Sequence, residues 1–314
     1  MTWPRGCGYK SPVSPKLLSV SLLWGCFFSG AIGLGLSPPA HAAPREIVIA
    51  HEILHEAGDA LDANLEQFVR RVEQVAGFGK GGLRGRAFTR PEDALAYIKS
   101  HRVAFAILPA HQFVEARKAL RLEVLGRAIG MDGQTLQFST VTRLPRPFAD
   151  VTMMPGLRVA ATEIHDPVWL AMMTEGDVDP RRRPMALVEV PSSKAAIEAL
   201  LAKKVDLAIL QPRDWNDVKP RTETGGDLDW VVTSPKIPPS AFLAVGAFVS
   251  PADKKKMARA IDQICKTTGA NACAKMGILY VEAGREETYE DLISGYDARA
   301  PQTARVSGGP LRKR

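Results

Sequence analysis

Two stretches of this 314-residue chain repeat one design. Asp93 to Pro109 reads DALAYIKSHRVAFAILP, and Ala195 to Gln211 reads AAIEALLAKKVDLAILQ. At a constant offset of 102, Ala94, Leu95, Ile98 and Val103 align with Ala196, Ile197, Leu200 and Val205. Phe105-Ala106-Ile107-Leu108 then falls on Leu207-Ala208-Ile209-Leu210. Each copy is a short amphipathic helix, a polar break and an unbroken apolar run, the pattern of a strand covered on both faces. A helix–strand unit used twice predicts two α/β lobes, with a small ligand seated in the cleft between them.

Residues 1–42 stand apart from this pattern. Arg5, Lys10 and Lys16 are their only charges, and they precede an apolar run from Leu17 to Leu36. Ser37-Pro38-Pro39 and Ala40-His41-Ala42 follow. A basic start, an apolar middle and a small-x-small end predict a cleaved signal peptide and a periplasmic product. An uncleaved anchor is the alternative, since the apolar run is nearly long enough to span a bilayer. Its glycines and the A-x-A site favour cleavage. A lipoprotein reading through Leu23-Trp24-Gly25-Cys26 is opposed by the bulk of Trp24 and the apolar residues after Cys26.

Losing the leader takes the chain from 41 basic against 34 acidic residues to 38 against 34, or +4. That excess is too mild to imply nucleic acid. Arg181-Arg182-Arg183 and Arg312-Lys313-Arg314 read as solvated loop and tail. At 46% hydrophobic and 24% charged over its full length, the chain reads as an ordinary globular protein. Cys7 and Cys26 leave with the leader. Cys265 and Cys273 remain, and in an exported protein a local disulfide between them is expected. No second ligand pair accompanies them, so no metal or cofactor is expected there.

Along the mature chain, REIVIA (residues 45–50) reads as a buried strand. A polar loop follows, and then an amphipathic helix bearing Leu61, Leu65, Phe68, Val69 and Val72 on one face. GFGKGGLRG (residues 77–85) lacks the G-K-S/T ending of a phosphate cradle, and a flexible connection is expected. Residues 86–89 form a short strand, with Thr89 as N-cap of the first repeated helix and Pro91 at its second position. Strands are expected at residues 122–128 and 136–142. The pattern then restarts, with a strand at 157–161, a helix opening at Trp169 and a strand at 187–190. Ser192 or Ser193 caps the second repeated helix. A strand at 230–233, TSPKIPPSAFLAV and a helix started by Ser250-Pro251 complete the order. Both halves thus read as parallel α/β. Asp206, within the second repeated strand, is expected to be structural.

Four features in order make the chain resemble the phosphate/phosphonate-type periplasmic solute-binding proteins of ABC importers. They are the helix ALDANLEQFVRRVEQ after a strand and polar loop, DALAYIKSHRVAFAILPAHQF, SSKAAIEALLAKKVDLAILQPRDW, and TSPKIPPSAFLAV followed by FVSPADKKKMARAI. The resemblance implies an α/β, two-lobed type II periplasmic binding protein-like fold. It implies a mixed sheet in each lobe, flanking helices and a hinge of two crossing strands, near Leu122 to Phe138 and Thr233 to Val245. Lobe 1 would take residues 43–135, lobe 2 residues 136–234, and the lobe 1 return with C-terminal helices residues 235–298. A disordered tail is expected over residues 299–314. Implied partners are a small-molecule solute and an ABC permease or membrane sensor, with the protein itself a monomer.

In such a fold, ligand contacts come from the carboxyl ends of strands and from helix N-termini. That selects His51, Glu52 and His55 after the first strand, Thr89 and Arg90 at a helix start, and His111 and Gln112 after the first repeated strand. In the second lobe it selects Thr162, Glu163, His165 and Asp166, then Ser192 and Ser193, then Gln211, Arg213 and Asp214. Trp169 and Trp215 either wall the cleft or belong to the core. Where the family's phosphonate binders carry a Ser-Thr-Ser-Gly-like turn, this chain has Thr162-Glu163-Ile164-His165-Asp166-Pro167. Two carboxylates there repel a phosphonate. The solute is therefore phosphonate-like or otherwise charged, and a ligand with a cationic part or a pocket that has lost its ligand is expected as readily as a phosphonate.

One string points elsewhere. His51-Glu52-Ile53-Leu54-His55 has the H-E-x-x-H spacing that puts two zinc-binding imidazoles and a general base on one helix face. A periplasmic zinc hydrolase is the alternative reading. Leu61 occupies the third-ligand position of the extended motif, however, and the string follows a buried strand almost directly. It also begins only nine residues into the mature chain, with no room for a preceding sheet. A ligand-facing loop is the preferred expectation, and no enzymatic activity is expected.

Overall fold

The chain of this computed structural model is described over residues 44–50, 54, 60–130, 133, 135–143, 152–162, 166–211 and 228–300, less the side chains of Trp230 and Val231. Its first half runs β1 (Arg45–Ala50), α1 (Leu61–Ala76), β2 (Leu83–Phe88), α2 (Pro91–Ser100), β3 (Phe105–Leu108), α3 (Ala110–Leu120) and β4 (Leu122–Gly130). The middle runs β5 (Ser139–Arg143), β6 (Leu157–Ala161), α4 (Pro167–Met173), β7 (Met185–Glu189), α5 (Ser193–Leu201), β8 (Leu207–Leu210) and β9 (Leu228–Thr233). The chain then returns through β10 (Ser240–Val245), α6 (Pro251–Ala260), α7 (Ala270–Ala274), β11 (Ile278–Ala283) and α8 (Glu290–Arg299).

Two sheets result, and each defines a lobe. The first has strand order β11-β4-β10-β3-β1-β2 and the second β7-β6-β8-β5-β9. In the first, β1 pairs in parallel with β2 and β3, while β10 is antiparallel to β3 and β4. In the second, β6 pairs in parallel with β7 and β8, while β5 is antiparallel to β8 and β9. The helix–strand alternation by itself reads as parallel in both halves, whereas the family resemblance implies a mixed sheet in each lobe, and the structure has the mixed sheets. Each parallel trio is extended by the strands that cross between lobes, so both sheets are mixed.

The repeated units explain the matching trios. β3 and β8 are wholly buried, as is the Ile47–Ala50 part of β1, because helices cover these strands. α2 buries Ala94, Leu95 and Ile98, and α5 buries Ala196 and Leu200, the same stripe 102 residues on. Leu54, within the H-E-x-x-H string, is 1% exposed and packs with Ile47, Ile49 and Phe68 in the first lobe's core.

Two local expectations are corrected. The N-cap of α2 is Arg90, with extended backbone, and Pro91 is the first helical residue, so Thr89 does not cap it. The strand after the glycine-rich segment starts at Leu83 and includes Gly85, which reads as loop in the sequence. A Cβ on Gly85 would lie 2.4 Å from Val69 Cγ2, so α1 rests directly on the strand and only glycine fits.

Two segments carry the chain between lobes. Leu136 and Ile237 exchange backbone hydrogen bonds of 2.8 and 2.9 Å. Ser234 donates its N–H to the Phe138 carbonyl at 2.8 Å, and its hydroxyl accepts from the Phe138 N–H at 2.9 Å. These pairs form the hinge. α8 touches both sides of it: Asp297 takes charged bonds from Arg117 and Lys118 of α3, and the Arg299 carbonyl accepts from Arg181 at 2.8 Å. Cys265 and Cys273 form a disulfide, their Cα atoms 5.6 Å apart, beneath the first sheet.

Arg181 is itself held by Asp179, which is 2% exposed and 2.6 Å away. Burial raises the Asp179 carboxyl, but hydrogen bonds and charge from Arg181, with the charge of Arg182, outweigh it and hold the group below its ordinary range. Its contribution is therefore present above the unfolded value of about 3.9 and is lost as pH falls through the lower folded value. Asp179→Asn should cost about 3–5 kcal/mol at pH 7 in denaturant unfolding. The gap to wild type should close below about pH 4, and a pH-independent gap would contradict the pairing. Replacing both Cys265 and Cys273 by alanine should lower unfolding free energy by about 2–3 kcal/mol, read from the urea midpoint at constant slope.

Candidate functional site

The carboxyl ends of β6 and β8 meet the amino end of α5 in a small polar knot. Ser192 is the N-cap, its hydroxyl accepting from the Ala195 N–H at 3.2 Å. Ser193 is fully buried, and its hydroxyl accepts from the Gln211 N–H at 3.0 Å. Gln211 in turn donates through Nε2 to the Thr162 hydroxyl at 3.3 Å. Thr162, Ser193 and Gln211 thus brace one another. Asp206 is also braced, taking three bonds from Arg158 of 2.9–3.1 Å at the other end of β8.

A second group forms where the lobes meet. Pro109 ends β3 and turns the chain into α3, which places His111 and Gln112 in the first helical turn, 8% and 2% exposed. Across from them Asp166 caps α4 by accepting from the Val168 N–H at 2.8 Å. Trp169, one position further, is 2% exposed. Its ring stacks on His111 at 5.1 Å and meets the edge of Phe138 at 6.3 Å. One aromatic row therefore runs from lobe 1 through lobe 2 to the crossing segment.

Beside this row lies a cavity of about 350 Å³. α2 contributes Glu92, Leu95 and Lys99 to its wall, and α3 contributes His111, Gln112 and Glu115. α4 and α8 add Asp166, Trp169 and Tyr296. Burial pushes the Tyr296 phenol well above its ordinary value; a hydrogen bond with Asp166 and the charges of Asp166 and Glu115 push it further, against the opposing charge of Arg117. Three buried atoms here make no hydrogen bond within the protein: Gln112 Oε1, Asp166 Oδ2 and Trp169 Nε1. Each such atom costs about 1–3 kcal/mol when left bare, and their convergence makes this cavity the candidate site.

The candidates divide accordingly. His111, Gln112 and Asp166 come together at the cavity, and Thr162, Ser192, Ser193 and Gln211 come together at the lobe 2 strand ends. Thr89 is half-buried and Arg90 is exposed, pairing with Glu92 at 3.8 Å and Asp93 at 4.0 Å; neither lines the cavity. His51, Glu52, His55, Glu163, His165, Arg213, Asp214 and Trp215 lie outside the described residues. Sequence reasoning missed Glu92, Glu115 and Tyr296. Glu115 follows His111 by one helical turn, a spacing that could have found it; nothing local in the sequence flags Tyr296.

Residues 55–289 match the family described as ABC transporter, phosphonate, periplasmic substrate-binding protein. The chain belongs to that family. It is a solute-binding protein with the type II periplasmic binding protein fold, and nothing in the comparisons favours the zinc-hydrolase alternative. Among solved structures, a Xanthomonas citri protein bound to chloride is similar at TM-score 0.63 and 12% identity, over 84% of this chain and 100% of its own. PhnD1 from Prochlorococcus marinus, in complex with methylphosphonate, is similar at TM-score 0.58 and 11% identity, over 83% and 99%. A binding protein component of an ABC phosphonate transporter from Pseudomonas aeruginosa is similar at 0.58 and 12%, over 85% and 91%. No curated protein matches by sequence.

The two adjacent serines do different work, and thermal melts should separate them. Ser192→Ala removes an exposed cap and should cost about 1 kcal/mol. Ser193→Ala strands a buried backbone N–H and should cost more, about 1–3 kcal/mol. The reverse order would contradict the roles assigned here.

Proposed function

We propose that the protein is an exported periplasmic receptor that closes its lobes over a small charged solute and delivers it to an ABC permease, as a monomer and without catalysis. The observation that carries this reading is the cavity at the meeting of α2, α3, α4 and α8, where buried polar atoms of both lobes converge without partners. The leader at residues 1–42 supports export, and cleavage follows Ala42. Hinge closure over the ligand fits the two crossing segments. In this reading His51, Glu52, His55, Glu163, His165, Arg213 and Asp214 are among the residues that contact the solute. The similar proteins solved with methylphosphonate or assigned to phosphonate transport make phosphonates the first class to try.

The test is a thermal-shift screen of the full chain against phosphate, phosphonates, amines and amino acids. A cognate solute at a hundredfold its Kd should add about 2.7 kcal/mol of stability, and small-angle scattering should show a smaller radius of gyration when it binds. No shift across the panel would instead leave a scaffold without a ligand. Stoichiometric zinc with Glu52-dependent peptidase turnover would replace the binding reading outright.

A further inference from the structure

We propose that α8 is a latch between the lobes: it belongs to lobe 1, its C-terminal end grips lobe 2, and the lobes part along the seam between α8 and α4. The latch holds the ligand-free lobes in the arrangement described above, whatever the solute.

α8 is anchored to lobe 1 by groups that water replaces poorly. The 3-10 turn Glu286–Tyr289 leads into it from β11, and Tyr289 is fully buried. The Tyr289 ring meets Phe113 of α3 edge-on at 5.1 Å, and its hydroxyl donates to the Pro239 carbonyl at 3.1 Å. Leu292 joins the same apolar cluster. Asp297 then accepts from Arg117 and, at 2.9 Å, from Lys118. Burial raises the Asp297 carboxyl, but the bonds and charges of Arg117 and Lys118 outweigh it and hold the group below its ordinary range. The Arg117 side chain is only 7% exposed, so pulling α8 off α3 would leave a buried guanidinium without its carboxylate.

The grip on lobe 2 is of another kind. The Tyr296 phenol hydrogen-bonds to Asp166 at the start of α4. The Arg299 carbonyl accepts from Arg181 at 2.8 Å. Beside them, Gly295 lies so close to α4 that a Cβ there would stand 3.2 Å from Met172 Cε. Both charged partners have a second engagement inside lobe 2: Asp166 keeps the Val168 N–H, and Arg181 keeps Asp179. Parting this seam therefore strands no charge, and a phenol and a carbonyl pass to water, which replaces their bonds at small net cost. The seam to lobe 2 is the weaker one. Tyr296 and Asp166 also line the cavity from α8 and from α4, so the same parting opens it between the two helices.

Spin-label distances in the ligand-free full chain test the latch, with Cys7 and Cys26 replaced by serine so that only introduced thiols react. One label pair uses Ser294→Cys on α8 with Lys255→Cys on α6 of lobe 1, and the other uses Ser294→Cys with Glu198→Cys on α5 of lobe 2. All three positions are exposed. Each pair should give one narrow distance in the otherwise wild-type chain. Tyr296→Phe removes the bond to Asp166 and should add a longer distance to position 198 while leaving the distance to position 255 unchanged. Gly295→Val wedges α8 away from α4 and should do the same. Melting curves establish that each variant is folded, and one folded variant suffices. Distances unchanged in the folded variants overturn the latch, as does a broad distance to position 198 before either change. A longer distance to position 255, alone or with the other, overturns the assignment of α8 to lobe 1. None of these outcomes bears on whether a solute binds, which the thermal-shift panel decides.

Discussion

Leu136 and Ile237 exchange their backbone hydrogen bonds in the narrow waist between two sheets, and neither sheet is complete without the chain that passes there. β10 enters the first sheet directly after the return crossing and lies between β3 and β4. β5 enters the second sheet directly after the outward crossing and lies between β8 and β9. Each lobe therefore takes its first antiparallel strand from a chain segment that has just left the other lobe. The parallel trios β2-β1-β3 and β7-β6-β8 would otherwise present β3 and β8 as open, fully apolar edges. A two-stranded connection of this kind is weak in isolation, which suits a hinge: it fixes the topology yet resists rotation little.

What stiffens the waist is side-chain packing, supplied from both directions. Phe138 and Ile237 join the apolar cluster that also holds Trp169 and the inner residues of β1, β3 and β6. From outside, α8 lies across the gap. Tyr289 is fully buried against Phe113 and donates to the Pro239 carbonyl at 3.1 Å, and the Asp297 and Arg299 contacts reach α3 and Arg181. Opening the lobes must shear these contacts or carry α8 with one lobe. α8 also supplies Tyr296 to the cavity wall, so the element that links the lobes takes part in the candidate site.

Much of the fold was legible because burial on both faces leaves an unmistakable run of apolar residues. The offset of 102 reappears in the structure as α2–β3 and α5–β8, whose first helical and last strand residues keep that spacing. The antiparallel strands were harder. Nothing in Ser139–Arg143 or Ser240–Val245 states which neighbour each will take, since pairing across a crossing depends on contacts a hundred residues away. Gly85 misled for a different reason: glycine ordinarily breaks a strand, and here it is kept because α1 lies too close for any side chain. Thr89 has the better capping side chain, yet Pro91 fixes the first helical turn and leaves Arg90 in extended backbone as the cap. At the site, helix starts could be placed from sequence, and so His111, Gln112 and Asp166 could be named. Tyr296 could not, because its relation to Asp166 exists only once α8 has folded back over α4.

The relation between this chain and its structural relatives is itself informative about where specificity resides. At 11–12% identity the fold persists, since it needs only apolar runs of the right length, turns in the right places and a waist that pairs. Ligand choice is decided by far fewer atoms. Here Asp166 occupies the cap of α4 with one oxygen and turns the other inward, and Gln112 and Trp169 add one bare acceptor and one bare donor. A buried polar atom without a partner is a standing cost that packing alone does not remove, and three such atoms meet here at one cavity.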